Sequence, residues 1–266
     1  MQSYFKLISK RFQLIVLIIP FLLTACEKEK NKFGHFTLIF DHKVNGNEVI
    51  WNDMCYVNEA GNPYELTEIM YFVSRVRLHS KDGDVFDLNP GLPFHYINPE
   101  IPYSLNWENE ADIPVGIYDS ITFTFGLASN DNISNRFVNP PESNMAWPEA
   151  LGGGYHYMMM NGFYLDSLGS RCTNNFHLGK GQIYNDVHEV VGFIDNSFGV
   201  TPIGETFEIR ENNLTTATIT MNIESWFKTP VTYDFNVFGG AIMQKQAAME
   251  AACKNGKDAF SVKFTY

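Results

Sequence analysis

Apolar and polar residues alternate one by one along much of the chain. Phe36, Leu38, Phe40, His42 and Val44 share one parity, with Thr37, Asp41 and Lys43 on the other. Met70, Phe72, Val76 and Leu78 fall on one face of a second run. Ile121, Phe123, Phe125 and Leu127 fall on one face of a third, against Ser120, Thr122 and Thr124. Further period-two runs lie near 155–165, 187–194, 205–210, 214–223 and 259–265. A repeat of two is the signature of a strand with one buried face. The residues filling these runs (Phe, Tyr, Thr, Val) are those a pleated surface favours. Gly61-Asn62-Pro63, Asn89-Pro90-Gly91 and Pro140-Pro141 punctuate them as turns. One segment, 242–253 (IMQKQAAMEAAC), is rich in helix formers and runs into Lys254-Asn255-Gly256, a helix stop. The pattern predicts an all-β fold over residues 35–266: a two-sheet β-sandwich of about nine or ten strands with one C-terminal helix. The longest stretch without alternation, 129–153, holds Met145, Trp147 and Gly152-Gly153. Its buried-type residues suggest a functional loop.

The first residues break this pattern. Lys6, Lys10 and Arg11 precede an unbroken apolar run, Leu14 to Leu23, too short to span a bilayer comfortably. Leu23-Thr24-Ala25-Cys26 then resembles the lipobox of bacterial lipoproteins. That resemblance implies a leader at 1–25, acylation of Cys26 and a charged tether at 26–34. The domain would then be held at the outer membrane by lipid, on its periplasmic or surface face. The leader contains three of the 19 basic residues and none of the 30 acidic ones, so the mature chain has 16 against 30 and a net charge of −14. Nucleic-acid binding needs clustered Lys and Arg and is not expected. Beyond Cys26 the cysteines are Cys55, Cys172 and Cys253, an odd number with no CxxC pair. At most one bridge can form among them, and the sequence does not choose it.

The candidate chemistry rests on histidine. Of the seven, His42 has a parity that turns it inward, where each ring nitrogen needs a hydrogen-bond partner or a metal. Taken alone, a hydrogen-bonded core histidine is the better reading. His79 has the opposite parity to its apolar neighbours and is expected in solvent. His177 lies in Asn174-Asn175-Phe176-His177-Leu178-Gly179, a polar setting that suits a site. His95 sits between Phe94 and Tyr96. His156 is flanked by Tyr155 and Tyr157, and parity cannot place it. Of Met158, Met159 and Met160 at most two can converge, and core packing is the better reading. No GxSxG, HExxH, P-loop or EF-hand sequence is present, so an enzyme is not expected.

Several short segments together resemble the MbnP-like copper proteins, relatives of MopE and CorA, with homologues among Bacteroidetes lipoproteins. They are Asp41-His42, Ser74-Arg75-Val76-Arg77-Leu78, Gly116-Ile117-Tyr118-Asp119-Ser120-Ile121 leading to Phe125-Gly126, Met145-Ala146-Trp147, Gly154-Tyr155, and Phe176-His177-Leu178-Gly179. The resemblance implies a mononuclear copper held by imidazoles on a β-sandwich. In some members a tryptophan oxidised to kynurenine adds a donor. Carried over, it makes His42 and His177 the ligands and His95 a possible third. Trp147 becomes the residue that is oxidised or walls the site, with Met145 beside it. Two departures are visible: Glu149 stands where family members often have a second tryptophan, and Gly126-Leu127-Ala128 replaces Gly-Val-Asp. The expectation is a copper-binding lipoprotein of the cell envelope that takes up, stores or hands on the metal, exchanging it with a redox or transporter partner. The alternative is a metal-free, lipid-anchored module binding a partner or glycan.

Overall fold

The computed structural model describes residues 32–109 and 111–266. The leader 1–25, Cys26 and the tether as far as residue 31 lie outside them. The strands that build the fold are β1 (Phe33–Val44), β2 (Pro63–Ser80), β3 (Phe94–Ile97), β4 (Gly116–Phe125), β5 (Met158–Leu165), β6 (Arg171–Leu178), β7 (Leu214–Asn222) and β8 (Phe260–Thr265). Helix α1 spans Gln246–Gly256. Nine further strands of two to five residues bring the count among the described residues to 17. The excess over nine or ten consists of strands too short to register as alternation.

Two sheets face each other. In the six-stranded sheet β8, β7 and β1 lie side by side, with β1 and β7 parallel. In the nine-stranded sheet the order is β6, β5, β2, β4, and β3 also pairs with β2. Phe36, Leu38, Phe40 and Val44 of β1 are all buried between them, as their parity predicts. They meet Ile69, Tyr71 and Val73 of β2 and Phe123 and Phe125 of β4 in one continuous core.

The second run departs from prediction. Met70 and Phe72 do not share a face with Val76 and Leu78. Val76 and Leu78 are in the main core, whereas Phe72 is buried in a second cluster with Tyr96, Leu127, Met145 and Tyr155, against which Met70 packs. The reason is a shift of register between Ser74 and Arg77, with Arg75 at φ +54°. An inserted residue reverses which side chains face inward. Leu127 leaves the face of Phe125 for a similar reason. Gly126 between them has φ +88°, and a Cβ there would lie 2.6 Å from the Tyr157 ring. The second cluster therefore occupies the outer face of the nine-stranded sheet, roofed by the 129–153 loop. Helix α1 begins at Gln246 rather than 242 because Gln244 takes φ +64°, which no helix continues. Cys55, Cys172 and Cys253 are all free thiols. His79 is half-buried, joined to the Thr122 hydroxyl at 2.7 Å, instead of solvated.

Candidate metal centre

Two adjacent strands and one loop assemble the site. On β6, Phe176 and Leu178 enter the main core, so His177 between them points to the outer face. On β5, Met158 and Met160 are fully buried in the main core, and Met159 takes the outer face. Register sets Met159 directly across from His177 and, on its other side, across from Met70 of β2. The next row on this face is Asn175, Asn161 and Glu68.

The loop supplies the rest. Gly152, Gly153 and Gly154 have φ of +110°, +59° and +84°, a succession that residues with a Cβ avoid. This turn folds the chain back so that Ala146 bridges Tyr155 and the Trp147 N–H donates to Gly154 O at 2.8 Å. His156 is thereby delivered beside Trp147. The backbone N–H and the ring Nδ1–H of His156 both donate to the Met145 carbonyl, at 2.7 and 2.9 Å. The His156 ring lies edge-on to Trp147 at 4.7 Å between centroids and edge-on to His177 at 5.2 Å. Trp147 is 2% exposed, and its indole N–H donates to Leu151 O at 3.0 Å. Its ring rests on Gly179, where a Cβ would come within 2.5 Å.

These bonds fix which ring nitrogen is free. A carbonyl only accepts, so Nδ1 of His156 bears the proton and Nε2 bears the lone pair. That Nε2 is buried and has no hydrogen-bond partner. The Asn161 amide donates through Nδ2 to Glu68 Oε1 at 2.6 Å and therefore presents its oxygen to His177. His177 Nε2–H donates to that oxygen at 2.7 Å, leaving the lone pair on Nδ1. Burial, and then the His156 ring, lower the His177 pKa to about 4. Burial lowers that of His156 too, against the opposing hydrogen bonds to Met145 and Ala146. Both rings are neutral at neutral pH, each with its second nitrogen tied to a protein oxygen. Metal-ligating histidines are oriented in this way.

The other predicted ligands lie elsewhere. His42 does face inward, but into the main core between the sheets. There its Nε2 shares a 3.1 Å hydrogen bond with the Tyr71 hydroxyl, and burial lowers its pKa to about 3. Tyr71 and His177 occupy opposite faces of the nine-stranded sheet, so the pairing of His42 with His177 is not made. His95 is stacked on Trp107 at 5.0 Å and donates from Nε2 to Ser104 O at 2.8 Å. It opposes Val73 of β2, a main-core residue, and so lies on the inner side as well. Trp147 packs edge-on against His156, and the Met145 carbonyl accepts from the His156 ring. Among the described residues no three His, Cys, Asp or Glu side chains gather around a point that could hold a metal ion.

The MbnP family model matches residues 33–244. The chain belongs to the MbnP family. The solved structure of MbnP from Methylosinus trichosporium shares its fold, with a TM-score of 0.54 at 17% identity over 88% of this chain and 100% of that one. No curated protein matches the sequence. In this MbnP chain the resemblance named Trp147 and His177; the structure sets both against His156, which the resemblance did not name. The signal for His156 was its place directly after Gly154-Tyr155, on the far side of a glycine turn from Trp147.

Proposed function

We propose that this protein is a copper-binding lipoprotein of the cell envelope, a carrier and not an enzyme, whose metal is held by His156 Nε2 and His177 Nδ1. The observation that supports this reading is the His156 lone pair, buried without a partner beside a second neutral imidazole. An unsatisfied buried acceptor costs about 1–3 kcal/mol, and a cation at that point removes the penalty. Two imidazoles without a carboxylate suit a soft, low-coordinate ion such as Cu(I) better than Mg(II) or Ca(II). Copper, when bound, would supply positive charge and accept the two lone pairs. The protein holds the rings neutral and oriented through Met145, Asn161 and Glu68, and excludes water with Trp147. Lipid on Cys26 would keep the cargo at the outer membrane, within reach of a transporter or redox partner.

Metal analysis of protein purified from copper-replete cells, followed by anaerobic Cu(I) titration against a competing chelator, tests the reading. Stoichiometric copper that is lost in His177→Ala is the expected result. A copper-free protein with no Cu(I) affinity would leave the metal-free interaction module in its place. Fatty-acid labelling that disappears in Cys26→Ser tests the anchor, and equal labelling of both would remove it.

A further inference from the structure

The outer face of the nine-stranded sheet holds more than two histidines. His177, Met159 and Met70 form one row across β6, β5 and β2, each directly opposite the next. Directly opposed same-face residues have Cβ atoms about 4.5–5.5 Å apart, within reach for long, flexible thioether side chains. All three are half-buried, in contrast to Met158 and Met160, which are fully buried on the inner face. Met159 and Met70 pack against the second cluster. The neighbouring row is polar, and its Asn161 and Glu68 are already engaged in holding His177.

We infer that Met159 is a third donor to the ion held by His156 and His177. The inference rests on the copper-site reading above. Thioether sulfur is a soft, uncharged donor that binds Cu(I) and adds little for Zn(II). The row thus makes the site selective for the cuprous ion. No bond is made or broken in the protein, and no electron moves.

Met159→Leu and Met70→Leu remove each sulfur while nearly conserving volume, and such exchanges usually leave a core folded. Anaerobic competition with a Cu(I) chelator gives affinity, and Zn(II) titration gives selectivity. The expected result is about a tenfold or greater loss of Cu(I) affinity in Met159→Leu with Zn(II) affinity unchanged. Met70→Leu, one strand further from His177, should keep its Cu(I) affinity within about threefold. In wild-type protein labelled at the methionine methyl groups, Ag(I) should shift the Met159 resonance, assigned by its absence from Met159→Leu, and spare those of Met158 and Met160. If the wild type binds Cu(I), His177→Ala does not, and Met159→Leu matches the wild type in affinity and selectivity, the thioether donor is refuted and the histidine site stands. If the wild type does not bind Cu(I), the copper reading itself fails.

Discussion

Replacing His156 by phenylalanine separates a ligand from a structural histidine. In the metal-free protein the exchange has two opposing effects. It removes a buried lone pair that has no partner, a relief of about 1–3 kcal/mol, and deletes one hydrogen bond of about 1 kcal/mol. The acceptor of that bond, the Met145 carbonyl, is not orphaned, because the backbone N–H of residue 156 still donates to it at 2.7 Å. Apo stability should therefore rise by about 0–2 kcal/mol. The effect of metal is much larger. With free Cu(I) at about a thousand times Kd, binding to the native state adds about 4 kcal/mol, which for a domain of this size raises Tm by about 8–16 °C. Anaerobic calorimetry with and without chelator-buffered Cu(I) should show that rise in the wild type and its loss in His156→Phe. A variant that keeps the rise would refute His156 as a ligand. A variant that loses several kcal/mol without metal, while the wild type shows no metal-dependent gain, would make His156 a core residue.

Three further outcomes are expected. Because His42 has a folded pKa of about 3, well below its unfolded value, the unfolded chain binds the extra proton first as pH falls. Its contribution is complete above about pH 6.5 and shrinks by about 2 kcal/mol by pH 5. Urea unfolding should therefore show wild type losing that much more than His42→Leu between pH 7 and 5, and parallel losses would disprove it. Asn161→Leu should weaken Cu(I) binding about 10- to 100-fold without abolishing it, since His177 loses only the oxygen that orients it. An affinity equal to wild type, read by chelator competition, would remove Asn161 from the site. Gly179→Ala pushes a methyl into the Trp147 ring, so it should both destabilise the domain and lower Cu(I) affinity. Destabilisation with unchanged affinity would show that Trp147 only fills space.

Parity read the first strand correctly because β1 is regular from end to end, and all its inward residues proved buried. It failed on β2 because an 18-residue strand can change faces part-way along, and the change at Ser74–Arg77 rests on a backbone angle at an arginine. No composition rule marks that residue as a bulge. The glycine run was legible as part of a long loop, but not that Gly152, Gly153 and Gly154 take positive φ in succession. The start of α1 was misplaced for a related reason: Gln244 is a good helix former and adopts a left-handed conformation here.

The site shows why the identity of a face matters more than parity alone. Both His42 and His177 were legible as candidates, one by inward parity and one by polar surroundings. Parity, however, says only which residues of one strand lie together, not which side of which sheet they occupy. His42 enters the space between the sheets, where it is buried and its Nε2 is paired with a tyrosine hydroxyl. His177 projects from the other face of the facing sheet, where a loop can cover it and a partner can reach it. His156 was illegible because Tyr155 belongs to the second cluster and Tyr157 to the main core, so the chain crosses from one apolar environment to the other at this histidine. With apolar residues on both sides, no alternation is left to read. A strained glycine turn that ends on a buried imidazole, with Nδ1 bound and Nε2 free, is a poor way to build a core and a sound way to hold an ion. That same crossing point brings His156 against His177 on the outside of a sheet whose inside is packed with apolar side chains.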